Sequence, residues 1–170
     1  AFNHHNIPIS DAEITGLVGI ALKASKETEG AFDITVAPLL ELWGFYSKSY
    51  RVPEEQEIKD CLKRIGYRHL SIDNGRLTKD DVGTQIDLGG IAKGYALIEA
   101  VKVLKAKGVN SALIDAGGDV FALGKKGRGL WRVGIKSPRE EGLLGYVEVQ
   151  DLAVMSSGDY ERFFIKDGKR

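Results

Sequence analysis

The sequence predicts an α/β protein of the α+β kind, with a mixed, largely antiparallel sheet and flanking helices. Three observations carry that expectation. Residues 14–22 and 91–107 place apolar side chains at helical spacing, and each run is followed by a stop glycine, Gly30 and Gly108. YRHLSIDNGRLTK sets two alternating runs around Asp73-Asn74-Gly75, residues that tolerate the positive φ angles of a tight turn. Beyond residue 110, strand-like runs alternate with turn chemistry, which favours antiparallel pairing.

Taken in order, AFNHHNIPIS reads as a loop. Ser10-Asp11-Ala12-Glu13 is a capping-box pattern, with a hydroxyl and a carboxylate three residues apart able to satisfy free amides at a helix start. The helix that follows should turn Ile14, Leu17, Val18, Ala21 and Leu22 inward. A second helix is expected from Pro53, a favourable first-turn residue, to Gly66, with Ile58, Cys61, Leu62 and Ile65 inward. After the hairpin come a buried strand over residues 85–88, a glycine step and the helix that begins at Ile91. SALID, AGGDVFALG, WRVGI, LLGYVEVQ, LAVMSSG and YERFFIKDG then supply strands, separated by turns such as KKGRG and KSP. No repeat or linker interrupts the chain, and 170 residues suit one domain over residues 1–170.

With 24 basic and 24 acidic side chains, no net charge draws the chain toward nucleic acid or an anionic membrane. The basic GKKGRG tip has no interleaved aromatics and reads as a solvated turn. The single cysteine, Cys61, lies in an amphipathic stretch and reads as a small buried hydrophobe, so no internal disulfide can form. His4, His5 and His69 do not fall at a metal-ligand spacing. No run reaches the ~18 apolar residues of a membrane span, and no signal-peptide pattern is present. The chain opens without Met and stops within a turn signal at IKDGKR, so both ends read as trimmed.

Four constellations could carry chemistry. In DLGGIAKGYA, Asp87 closes a strand, Gly89 and Gly90 allow a close turn, and the free amides of the following helix form an anion cradle to which Lys93 adds a mobile positive charge. The spacing matches neither a P-loop nor a dinucleotide fingerprint. Asp87 beside a phosphate would be repulsive unless it met a hydroxyl, a ring N–H or a shared metal. A nucleotide with Mg2+ resolves that conflict, and the Gly90 carbonyl is a hard oxygen suited to the ion. Alternatively the glycines serve only a tight turn and Asp87 caps the helix. In GAFDITVAPLLELWGF, Asp33 stands alone in an apolar run and must find hydrogen-bond donors. These are either the amides of a nearby turn or a ligand's N–H groups, with Phe32 or Trp43 near a flat ring. In ALIDAGGDVFALG, Asp115 and Asp119 flank Gly117-Gly118, a close-approach point or a plain tight turn. In VMSSGDYERFF, Ser156, Ser157, Asp159 and Tyr160 cluster without a nucleophile elbow or an evident base.

The order of these four motifs, over nearly the whole chain, resembles the ApbE family, the FAD:protein FMN transferases. The resemblance implies a fold related to the T-fold, binding of FAD with Mg2+, and transfer of the FMN half to a Thr or Ser hydroxyl of an acceptor flavoprotein with release of AMP. Some relatives instead hydrolyse FAD to FMN and AMP, and a flavin-binding module without chemistry is the alternative from another class. By motif match, Ala31, Phe32 and Asp33 correspond to the segment that contacts the flavin nucleotide, Asp87 to the FAD-contacting acid, Gly90 to the position offering an oxygen to Mg2+, and Lys93 to a further FAD contact. Asp119 and Ser157 lie beside matched motifs and are assigned no role by the resemblance, and no catalytic residue is assigned. The family pattern continues past DGKR into a histidine-bearing stretch and later Asp and Thr metal ligands. These are missing here, as are an N-terminal flavin-contacting Met and a lipoprotein signal with its anchoring Cys. The resemblance therefore implies an incomplete piece of a transferase, inactive alone and with an open strand edge. It also implies the bacterial cell envelope on the periplasmic side, with membrane contact only through a lipid anchor outside this chain and no nucleic-acid partner.

Overall fold

Asp11, not Ser10, starts the first long helix. Helix α1, Phe2–His5, is a single turn, and α2, Ala12–Glu27, carries the expected apolar stripe. The Asp11 carboxylate accepts from the Ile14 amide at 2.9 Å, and an ionised acceptor also suits the positive end of the helix dipole. Leu17, Val18 and Ala21 are buried as expected, but Ile14, on the same face in the first turn of the helix, is exposed. Replacing the cap, Asp11→Ala, is expected to cost about 1 kcal/mol, read from the urea midpoint. An unmoved midpoint would mean that packing alone fixes the helix start.

The computed structural model describes residues 1–158 and 163–169 and divides into two compact units, Ala1–Ile91 with Phe164–Arg170, and Ala92–Phe163. In the first unit, Phe2, Val18, Ala21, Ile34, Leu70 and Leu77 form the core. Burial of Phe2 explains why the opening residues, expected as a loop, coil into α1. Lys79 completes that corner, buried to 6 % exposure. Its ammonium donates to the carbonyls of Asn3 at 3.2 Å, Val82 at 2.9 Å and Thr84. It lies 5.2 Å from the centre of the Phe2 ring. Burial pushes this lysine below its ordinary range, with Asp81 acting against the shift. The Asn3 side chain binds both the amide and the carbonyl of Ile86 at 3.0 Å.

Helix α3, Ala37–Leu42, follows the core segment, and α4, Glu55–Leu62, begins two residues beyond Pro53. The Glu57 carboxylate sets that start by accepting from the Glu54 amide at 2.8 Å. Cys61 is buried as expected, and burial pushes its thiol up against the opposing charge of Arg64. Leu62, expected inward, is exposed, because α4 ends there and only one face of so short a helix is covered. Strands β1, Leu70–Asp73, and β2, Arg76–Lys79, form the expected hairpin, closed by Asn74 at φ 49° and Gly75 at φ 73°. The strand expected over residues 85–88 is reduced to one parallel bridge, Val36 to Gln85, with the Asp87 amide donating to the Ile34 carbonyl at 2.7 Å. The partner segment enters α3 at Ala37, so the ladder cannot continue. Phe164 joins this unit by stacking on Tyr50 at 5.3 Å beside Trp43 and Phe45.

In the second unit, α5, Ala92–Ala106, buries Leu97 and Val101 and is followed by Gly108 at φ 79°. Strands β3, Ala112–Ala116, and β4, Asp119–Leu123, are joined through Gly117 and Gly118, both at positive φ. Strand β7, Leu152–Val154, pairs with the far edge of β4, giving the order β3-β4-β7. Strands β5, Trp131–Lys136, and β6, Leu143–Val149, form a separate antiparallel pair. Gly124 is required where it stands, because a Cβ would fall 2.0 Å from the Asn110 carbonyl oxygen at a φ of 59°. Among the described residues, every ladder is antiparallel and the Val36 to Gln85 bridge is parallel, which makes the mixed, largely antiparallel character expected from the sequence. Asp159, Tyr160 and the start of the last strand-like run lie outside the described residues. Among the described residues, no helix is long and apolar enough to cross a membrane.

Candidate functional site

The Asp87 turn is built by local chemistry in the first unit. Asp87 Oδ1 accepts from the Gly89 amide at 2.7 Å, an Asx turn that closes ahead of α5. Oδ2 accepts from the Tyr46 hydroxyl at 2.5 Å. The glycines make this possible by what they lack. A Cβ on Gly89 would sit 2.8 Å from Asp87 Oδ1, and one on Gly90 would sit 3.3 Å from Phe32 Cε2. Phe32 thus lies against the Gly90 backbone, and the structure brings Phe32, Tyr46, Asp87 and Gly90 into one neighbourhood. A cavity of about 580 Å3 opens beside it, walled by Glu41, Tyr46, Gln85, Asp87 and Leu88.

Asp33 follows Phe32 directly but is engaged with the protein. Its Oδ1 accepts from the Thr35 amide at 2.8 Å and the Thr35 hydroxyl at 2.6 Å, and its Oδ2 from the Tyr67 amide at 2.7 Å. Fully buried Thr35 accepts in turn from the Gly66 amide at 2.8 Å. These bonds staple residues 33–35 to the turn at residues 66–67, so the turn amides anticipated from the sequence are present. Ala31 is exposed, with its amide donating to the Thr28 carbonyl at 3.0 Å, while the Thr28 hydroxyl accepts from the Phe32 amide at 3.1 Å.

In the second unit, Lys93 Nζ pairs with Asp119 Oδ2 at 2.5 Å. Both line a cleft of about 400 Å3 together with Asp115, Gly117, Gly118 and Arg132. Asp115 Oδ1 accepts from the Gly118 amide at 2.8 Å, which fixes the glycine turn. Ser156 lines this cleft, and Ser157 is exposed.

Sequence reasoning missed Tyr46, which sits in an unremarked FYSKSY loop with no motif to tie it to Asp87. It also missed the partner of Lys93, although a lone acid at a strand start signals the need for a cation. Among the described residues, no three His, Cys, Asp or Glu side chains gather where they could hold a metal ion.

The α+β architecture is that of a known group of solved structures. The ApbE protein of Thermotoga maritima superposes with a TM-score of 0.91 at 41% identity, covering 98% of this chain and 56% of that one. The flavinyl transferase ApbE of Pseudomonas stutzeri, in its apo form, gives 0.82 at 36% identity, covering 98% and 55%. Residues 1–170 match the ApbE family model. The chain belongs to the ApbE family. The FAD:protein FMN transferase of Escherichia coli K12 is 31% identical over 172 residues, covering 96% of this chain and 49% of that protein. The chain spans about half the length of the curated relatives it matches.

Proposed function

We propose that this chain is the FAD-holding portion of a FAD:protein FMN transferase, which moves the FMN half of FAD onto a Thr or Ser hydroxyl of an acceptor flavoprotein and releases AMP. The carrying observation is the match of residues 1–170 to one family whose curated relatives bear that name. The pyrophosphate bond breaks and a phosphate ester forms to the acceptor hydroxyl. Such a reaction asks mainly for positioning and for positive charge at the phosphate oxygens. Lys93 supplies charge, Asp87 addresses N–H or hydroxyl groups of the nucleotide, and Phe32 offers an apolar face to a flat ring. Ala31 and Asp33 shape the segment that carries Phe32. Magnesium belongs to this reading through the resemblance alone, with the Gly90 carbonyl as the oxygen proposed from this chain. The resemblance alone also supports the periplasmic side of a bacterial envelope.

The test is incubation of the whole gene product with FAD, Mg2+ and a flavoprotein acceptor. The expected result is an acceptor mass gain equal to FMN, with AMP released. FMN and AMP without an adduct would replace transfer by hydrolysis, and FAD binding without turnover would leave a flavin-binding module.

A further inference from the structure

Lys93 is not a loose cation in the second unit. Among the described ion pairs, its pair with Asp119 is the one with a partner nearly out of solvent, the Asp119 side chain being 10% exposed and that of Lys93 55%. Pairs such as Lys23 with Glu27 or Lys59 with Glu55 leave both side chains well exposed and contribute little. A buried carboxylate that loses its cation carries an uncompensated charge, so the lysine is held far more firmly than its exposure suggests. Asp119 is itself fixed, as the first residue of the central strand β4, in register with Ala116 across the glycine turn. An ammonium has three donors, and the carboxylate uses one of them. Two remain on a side chain that lines the cleft together with Arg132.

We propose that Asp119 is a positioning residue: it fixes the Lys93 ammonium at the cleft wall, so that a dinucleotide phosphate meets the lysine at one place and shares it with the carboxylate. The inference rests on the reading of Lys93 as a contact to FAD. The opposite arrangement, in which phosphate and Asp119 compete for the lysine, would strand the buried acid each time FAD bound.

The test is a double-substitution cycle in the whole gene product, with FAD as the titrated probe and a thermal melt of each variant. Asp119→Asn keeps the shape and leaves no buried charge. It is expected to raise the FAD dissociation constant about tenfold when Lys93 is present, and less than about twofold in the Lys93→Met background, as coupled neighbours do. Equal fold-changes in both backgrounds, or tighter binding on Asp119→Asn, would overturn the positioning role while leaving Lys93 as a contact. No change on Lys93→Met would remove the contact itself and the inference with it. Should a variant fail to melt cooperatively, the unmodified protein decides. A crystal structure with FAD should show Lys93 Nζ within hydrogen-bond distance of both Asp119 and a phosphate oxygen, and a lysine that has left Asp119 would refute the proposal.

Discussion

Asp33→Ala is expected to destabilise the fold by about 3 kcal/mol, because it removes the acceptor for two amides and a buried hydroxyl. Thr35 is fully buried, so its hydroxyl has little access to replacement water, whereas the half-buried Tyr67 amide can recover part of its loss. Asp33→Asn should fall between, since one oxygen can still serve Thr35 while an NH2 group would face the Tyr67 amide. Urea unfolding measures both. A loss below about 0.5 kcal/mol for the alanine variant would show that the staple between residues 33–35 and 66–67 is not what holds this corner. The experiment also separates two uses of one residue. A weaker flavin titration for Asp33→Ala that disappears under conditions restoring the fold would make its influence on FAD indirect, through the placement of Phe32.

Asp87→Ala should show the reverse pattern. Its carboxylate partners, Tyr46 and Gly89, are exposed and can turn to water, so stability should change little. FAD affinity should fall by about 2 kcal/mol, roughly thirtyfold, as for a lost hydrogen bond to a charged group. Tyr46→Phe is the companion variant, because it frees Oδ2 without removing the charge. An unchanged FAD titration and unchanged turnover for Asp87→Ala would reject its assignment to the nucleotide.

What the sequence revealed depended on how local the cause was. Asn74-Gly75 and Gly117-Gly118 specify their turns through backbone freedom within two residues, and both hairpins form as expected. Helix α5 likewise follows its own apolar spacing to Gly108. The run over residues 85–88 has strand composition, yet its pairing depends on a partner that turns away at Ala37, and composition carries no word of that. Helix α2 is capped by Asp11 and not by the adjacent Ser10, two residue types of about equal capping strength between which the local pattern does not choose. At the candidate site, the glycines and acids were visible because each breaks an apolar run. Their partners were not, because Tyr46 and Asp87 stand 41 residues apart and only the folded chain joins them.

The two tryptophans fall one in each unit. Trp43 lies 6.2 Å from Phe164, within the aromatic group that receives the chain's last segment. The Trp131 indole donates to the Leu123 carbonyl at 3.1 Å, with Lys126 over its ring. Each unit thus carries its own fluorophore, and a single Trp→Phe exchange silences one while sparing the other. Emission from the remaining indole then follows the denaturation of its own half, and whether the two curves coincide reports directly on whether the halves melt as one cooperative body.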